Sequence, residues 1–314
     1  MKSRLLIACW RAIALIGLMV TVGCSGFTSA QKRGDSSVTP QKGAPPGQGG
    51  ATPQGQGGIG VPRPDHVVVV IEENHAYSEI IGASSAPYIN SLASQGAVLS
   101  NSHAVTHPSE PNYLALFAGS TFGLSDDSCP HTFTGTNLAQ GLIQARDSFG
   151  GYSEDLPSVG YTGCKSADYA RKHSPWVNFT NVPASVNMPF SSFPTNFSSL
   201  PTVSIVIPNL QNDMHDGTIE QADTWLKSHI DSYVAWAKTN KSLLIVTWDE
   251  DDKSSGNQIP TIFVGPMVKA GNYSENVNHY NVLRTLEAMH RLPYANESAN
   301  VAAITDVWQG GQGG

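Results

Sequence analysis

His66-Val67-Val68-Val69-Val70-Ile71, running directly into Glu72-Glu73-Asn74-His75, joins a continuous β-branched stretch to a cluster of polar side chains. A strand that is apolar at every position, not every second one, has both faces covered, as the inner strands of parallel sheets do. Val203-Ser204-Ile205-Val206-Ile207, Ser242 to Trp248 and Thr261-Ile262-Phe263-Val264 read the same way, and shorter strands are expected at Ala97 to Ser100 and Gly151 to Leu156. Helical patterns fall between them. One runs through Ala86-Pro87-Tyr88-Ile89-Asn90-Ser91-Leu92-Ala93 to Gly96, a suitable C′ glycine. Others are expected from Asn137 to Ser148, Thr218 to Lys238 and Tyr280 to His290. In the second of these, Ile219, Ala222, Leu226, Ile230, Tyr233 and Ala237 recur at helical spacing. Alternating strand and helix implies an α/β fold, a three-layer sandwich with a largely parallel central sheet, whose functional groups gather at the carboxyl ends of the strands.

The rest of the 314-residue chain sets the context. Lys2, Arg4 and Arg11 precede an apolar run, Ala12 to Val22, that ends in Gly23-Cys24-Ser25, so residues 1–24 read as an export signal. Val20-Thr21-Val22-Gly23-Cys24 resembles a bacterial lipoprotein signal, with Cys24 as the lipidated residue and Thr21 where Leu is usual. The expected location is the cell surface, or the exterior if Cys24 is not lipidated. Residues 25–64 are rich in Gly, Pro and Gln with almost no large apolar side chain and are expected to be a disordered tether. That leaves residues 65–314 as one domain. Cys9 and Cys24 belong to the signal, so Cys129 and Cys164 are the pair in the body, and an oxidising destination favours a disulfide over a two-thiol metal site. Charged residues make up 14% of the chain against about a quarter in an average protein, and the net charge is −7. With no basic block to offset that acidity, nucleic acid is not an expected partner. Contact with a membrane is expected only through the N-terminal anchor, and the protein is expected to be a monomer.

Three of the buried strands end in polar clusters. Ile71 leads into Glu72-Glu73-Asn74-His75, Ile207 into Asn212-Asp213-Met214-His215-Asp216, and Trp248 into Asp249-Glu250-Asp251-Asp252. Carboxylates and an amide converging from separate strands suit a hard or intermediate divalent cation. Each cluster read singly is equally a solvated loop, and His215 and His279 singly are equally core histidines. An EF-hand is excluded for the Asp249 to Asp252 run, because Lys253 and Ile262 fall where oxygen ligands are required.

A fourth segment, Thr106-His107-Pro108-Ser109-Glu110-Pro111-Asn112-Tyr113, enters the apolar Leu114 to Gly119. Its prolines place a helix start near Ser109 or Glu110. A hydroxyl there can attack an anion that the helix terminus stabilises, with Asn112 donating to the same oxygens; alternatively Ser109 is only an N-cap.

Taken in order, Glu73-Asn74, the His107 to Tyr113 segment, Asn212 to Asp216, Trp248-Asp249-Glu250 and Asn278-His279-Tyr280-Asn281-Val282-Leu283-Arg284-Thr285-Leu286-Glu287 resemble the phosphoesterase family of acid phosphatases and bacterial phospholipases C. That family belongs to the alkaline-phosphatase-like superfamily. Ser153-Glu154-Asp155-Leu156-Pro157 and Tyr169 to Phe179 bring the likeness nearest to its secreted mycobacterial acid phosphatases, and it covers essentially all of His66 to Trp308. Asp251-Asp252-Lys253 stands where the family often has glycines. The resemblance implies one divalent metal ion, of unspecified identity, on Glu73, Asn74, Ser109, Asp249 and Glu250. It implies Ser109 as the nucleophile and His215 and His279 facing the phosphate, with His107 orienting neighbours. Lys172, His173 and Asp213 become substrate contacts. The implied reaction is hydrolysis of a small phosphomonoester or a phosphoinositide-type substrate through a phosphoserine. The alternatives are a phospholipase C or other phosphodiesterase and, more remotely, a phospholigand-binding surface lipoprotein without turnover.

Overall fold

The structure is a computed structural model and describes residues 60–310. The export signal, Cys24 and residues 25–59 of the tether lie outside the described residues. Residues 61–64 already belong to the body: Val61 packs on the core, Arg63 pairs with Asp147 at 3.6 Å, and Pro64 is buried.

Eight strands form the central sheet: β1 (His66–Glu72), β2 (Ala97–Leu99), β3 (Phe149–Ser153), β4 (Asn187–Pro189), β5 (Val203–Ile207), β6 (Ser242–Trp248), β7 (Thr261–Val264) and β8 (Gly271–Tyr273). They lie side by side in the order β8-β2-β7-β6-β1-β5-β3-β4, and only β7 runs against its neighbours. β1 sits between β5 and β6 in parallel register, Val69 facing Ile205 on one side and Ile245 on the other. An inner strand needs an apolar side chain at every position, and the unbroken valines of β1 provide it.

The two faces of β1 feed two separate cores. Val67, Val69 and Ile71 pack with α2 (Ser109–Ala118), α3 (Leu138–Gln144) and α5 (His279–His290), whereas Val68 and Val70 pack with α1 (Pro87–Gln95) and α4 (Ile219–Ala237). Helices on both faces of a mostly parallel sheet make the three-layer α/β sandwich. Thr218 caps α4 by accepting from the Gln221 amide at 3.2 Å, and its inward stripe is buried through Ala222, Leu226, Ile230, Tyr233 and Ala237.

Gly96 departs from its expected role. Its backbone is extended and not left-handed, so it is no C′ glycine; a Cβ there would stand 2.1 Å from the Phe263 carbonyl, and the requirement is close passage of β7. α3 is shorter than expected and the following strand begins at Phe149, because the chain leaves the helix at Ala145 to pair with β5. The 3₁₀ turns between Arg171 and Ser199 have no regular apolar period and were not expected.

Because β1, β5 and β6 are parallel, their carboxyl ends share one edge. Two backbone bonds extend the pairing past the strands: the Glu73 amide donates to the Asp213 carbonyl at 2.8 Å and the Asp249 amide to the Glu72 carbonyl at 3.0 Å. The three polar clusters are thereby brought together. The starts of α2 and α5 reach the same edge through a short parallel pair, Ser102–His103 with Val277–Asn278.

Candidate active site

Ser109 is the first residue of α2. Pro108 occupies the N-cap and makes no side-chain cap, so Ser109 is not a capping serine. Its Oγ lies 3.2 Å from Glu73 Oε2, to which it donates, and 3.5 Å from Glu250 Oε1. Of the amides at the helix start, that of Glu110 donates to Asp127 Oδ1 at 2.9 Å and Pro111 has none; the Ser109 amide has no hydrogen-bond partner among the described residues. Gly119 ends α2 in the left-handed region at φ 68°, its missing Cβ making way for the Ala295 carbonyl.

Glu73 is fully buried and its two oxygens face different neighbours. Oε2 takes the Ser109 hydroxyl and the Asn74 amide at 3.1 Å; Oε1 takes the Tyr113 hydroxyl at 2.6 Å and stands 2.9 Å from His173 Nε2. Burial pushes its carboxyl up, but the charges of His173 and Lys172 and the Tyr113 hydrogen bond outweigh that and hold it near 2. Asn74, at φ 58°, donates its backbone amide to Asp249 Oδ1 at 3.1 Å. The other Asp249 oxygen is buried with no hydrogen-bond partner. Burial, then the charges of Glu73 and Glu250, push the Asp249 carboxyl well up, and burial pushes Glu250 up to about 7 despite His107. Like charges crowded out of water answer by binding protons.

Behind this group lies a histidine pair. His173 stacks on Tyr113 with ring centroids 5.0 Å apart, and its Nδ1 is 3.3 Å from Asp213 Oδ2. Its contact with Glu73 is not aligned as a hydrogen bond, so His173 Nε2 is left without a partner, as is Asp213 Oδ2. Burial opposes the imidazolium, yet Glu73 and Asp213 raise His173 to about 9. His215 is half-buried: Lys172 Nζ donates to its Nε2 at 3.2 Å and to Asp127 Oδ2 at 2.9 Å, while His215 Nδ1 meets Asp216 Oδ1 at 2.8 Å. Ligand atoms of Glu73, His173 and His215 lie within 4.8 Å of one another.

The structure therefore gathers Glu73, Asn74, Ser109, Asp249 and Glu250 at one point. A buried Asp249 oxygen without a partner, and Asp249 and Glu250 carboxyls raised by burial and then by neighbouring charge, are what a donor set made for a cation presents without one, so these residues fit a divalent metal. His173 and His215 lie next to it, their ligand atoms within 4.8 Å of one on Glu73.

Other expectations take a different form. Asn112 is fully buried; its Oδ1 accepts from the Val105 and Thr106 amides, both at 3.0 Å, and its Nδ2 donates to the Thr106 carbonyl at 2.8 Å and reaches Glu250 Oε2 at 3.4 Å, so its amide braces the loop before α2 and touches a carboxylate of the site. Asp213 and His173 are buried beneath the site and touch each other, not the surface. His279 is buried at the start of α5 with Nε2 donating to the Asp249 carbonyl at 2.6 Å, and burial lowers it to about 4, so it is neutral and spent on the backbone. His107 bridges Glu250 at 2.6 Å and Asp251 at 3.3 Å. Cys129 and Cys164 form a disulfide. Sequence reading gave Tyr113 and Asp127 no role. Tyr113 is one helical turn beyond Ser109 and so shares its face, a usable signal; Asp127 sits in a loop with none.

Helices on both sides of a mostly parallel sheet with one reversed strand, and an oxygen-rich centre at its carboxyl edge, have the layout of an alkaline-phosphatase-like fold. The chain aligns with a protein of the alkaline phosphatase superfamily from Vibrio parahaemolyticus over 77% of its own length and 71% of that chain, at TM-score 0.54 and 10% identity. The lipoteichoic acid synthase LtaP of Listeria monocytogenes aligns over 74% and 73%, at TM-score 0.51 and 10% identity. Both likenesses concern the fold. The chain belongs to the Phosphoesterase family, whose model matches residues 83–293, and is a phosphoric ester hydrolase. It is 55% identical to the phosphatidylinositol-3-phosphatase of Mycobacterium tuberculosis, covering 82% of this chain and 88% of that protein. It is 32% identical to an acid phosphatase of Aspergillus fumigatus, over 64% of this chain and only 50% of the relative's length.

Proposed function

We propose that this chain is an exported, metal-dependent phosphomonoesterase with Ser109 as nucleophile, acting on small phosphomonoesters and, following its mycobacterial relative, on a phosphoinositide 3-phosphate. The observation that carries the reading is Ser109 Oγ at a helix start within 3.5 Å of both Glu73 and Glu250. The catalytic unit would include residues 61–64 and be tethered through Cys24 and the segment that follows it. Among the described residues no helix is long and apolar enough to cross a membrane.

Glu73, Asn74, Asp249 and Glu250, with Ser109, would hold the divalent ion. When bound, it lowers the hydroxyl's pKa and screens the phosphoryl oxygens. Ser109 Oγ attacks phosphorus as its proton passes to the Glu250 carboxylate. The Ser109 amide, unpartnered at the positive end of α2, donates to a phosphoryl oxygen. The ester oxygen leaves with a proton from the Lys172–His215 pair, the half-buried donors of the site, while neutral His279 keeps Asp249 in place. Water then cleaves the phosphoserine and releases inorganic phosphate.

The test is hydrolysis of p-nitrophenyl phosphate and of phosphatidylinositol 3-phosphate by the purified protein, before and after chelation and with single divalent ions restored. Phosphate release that chelation abolishes and one ion restores is expected. Full turnover after exhaustive chelation would remove the metal from the reading, and release of a phosphorylated headgroup would turn the monoesterase into a phosphodiesterase.

A further inference from the structure

A cavity of about 330 Å³ opens beside the candidate active site and shares three residues with it, Asp127, Lys172 and His215. Its remaining walls are the Cys129–Cys164 disulfide, Ala170 and Leu210, with Lys165 and Asp216 at the rim. We propose that this cavity receives the alcohol half of the phosphoester, and that Lys165 binds a second anionic group carried by that alcohol. The inference rests on the hydrolase reading above and names the substrate class: phosphomonoesters of an alcohol that bears another phosphate, free or as a phosphodiester.

Charge matching singles out Lys165. Lys172 is ion-paired with Asp127 at 2.9 Å and donates to His215 Nε2 at 3.2 Å, and His215 Nδ1 donates to Asp216 at 2.8 Å, so each of these groups already has a partner. Among the described residues Lys165 Nζ makes neither an ion pair nor a hydrogen bond, so it is the cation of this cavity left to meet a ligand. A lone surface lysine would mean little, but this one has a fixed base. Its neighbour Cys164 is bonded to Cys129, its backbone pairs with Ala170, and its carbonyl accepts from the Tyr161 hydroxyl at 2.9 Å. The Cys164 carbonyl is held in turn by the Arg171 amide at 3.0 Å. A flexible ammonium on an anchored backbone can swing onto an anion at the cavity mouth without reordering the loop. The floor of disulfide, Ala170 and Leu210 is apolar, suited to the carbon skeleton of a ring or chain. The wall residue His215 has a ligand atom within 4.8 Å of one on Glu73, which takes the Ser109 hydroxyl, so an ester with its phosphate at Ser109 would have its alcohol at the cavity.

The experiment compares wild type with Lys165→Met and Lys165→Arg on three substrates: p-nitrophenyl phosphate, fructose 1,6-bisphosphate and a water-soluble short-chain phosphatidylinositol 3-phosphate. Lys165 is exposed, and unchanged thermal melting confirms that the variants fold. Lys165→Met should raise KM about tenfold, the size of one charge-assisted contact, for a substrate with a second anion, with kcat unchanged and p-nitrophenyl phosphate unaffected. Lys165→Arg should restore most of it. A rise confined to the bisphosphate assigns a free phosphate as the second group; one confined to the lipid assigns the phosphodiester. Equal KM values throughout, or a rise shared by p-nitrophenyl phosphate, would overturn the subsite. Calorimetric titration of the two doubly anionic substrates into Ser109→Ala protein, with and without Lys165→Met, should show the same weakening in the absence of turnover, and equal affinities there would overturn the subsite as well. Wild type inactive on all three substrates would instead defeat the hydrolase reading.

Discussion

Ser109 combines two properties that rarely meet in one side chain: it is 2% exposed, and its hydroxyl faces carboxylates instead of capping the helix it begins. Removing the oxygen costs the fold little, since Glu73 Oε2 keeps the Asn74 amide as a donor. Ser109→Ala should therefore melt within a degree or two of wild type while kcat falls at least about a thousandfold. A variant that keeps more than a tenth of wild-type turnover would leave Ser109 a structural residue. The neighbouring side chains divide the work by burial. Asn112, His279 and Asp213 are sealed and bound to protein atoms, so they hold loops and carboxylates in place. Lys172 and His215 keep some solvent contact and so can exchange protons.

At the scale of the elements, α5 contains a buried acid unrelated to the site. Glu287 is 1% exposed; its carboxylate accepts from the Ala295 amide at 2.8 Å and the Ser298 hydroxyl at 2.6 Å, tying the helix to the turn that follows it. Burial pushes its carboxyl up to about 7. The folded state therefore binds this proton more tightly than the unfolded chain, and the stabilisation, complete below the usual 4.5, is lost as pH rises toward 7. Glu287→Gln keeps an acceptor and removes the titration. In urea melts, wild type should lose about 3 kcal/mol relative to this variant between pH 4.5 and pH 8. A difference that stays constant with pH would show that Glu287 remains ionised throughout. The elements themselves were largely legible in the sequence. Largely apolar runs marked β1, β5 and β6, unbroken and β-branched in β1, and the spacing of Ile219 to Ala237 marked α4, because covered strands and one-faced helices impose those patterns. The reversal of β7 was not legible: Thr261 to Val264 is as apolar as a parallel strand, and direction is decided by the short return from β6. The pairing of Lys172 with Asp127 and His215 was hidden because their loops are joined only in three dimensions, whereas Glu73, Asp249 and Glu250 directly follow strands whose parallel order brings them together.

For the whole molecule, the carboxyl edge of the sheet is a concentration of unfavourable charge in a chain already at −7. Glu73, Asp249 and Glu250 are all at most 4% exposed. A divalent cation that binds only the folded chain should raise the melting temperature by several degrees, since saturation at a hundredfold excess over Kd contributes about 2.7 kcal/mol. Glu73→Gln should lose most of that shift. An unchanged melt with every divalent ion, measured against chelator, would count against a metal on these residues whatever the kinetics say.

Glu73 also links neighbourhoods that would otherwise be independent. One of its oxygens serves the hydroxyl of Ser109 and the other serves Tyr113 and His173. A single planar group cannot rotate to suit one side without disturbing the other. Evolution of the aromatic half, to suit a new substrate for instance, is thus constrained by the geometry the nucleophile needs, and changes at Tyr113 or His173 should be tolerated only as compensated pairs.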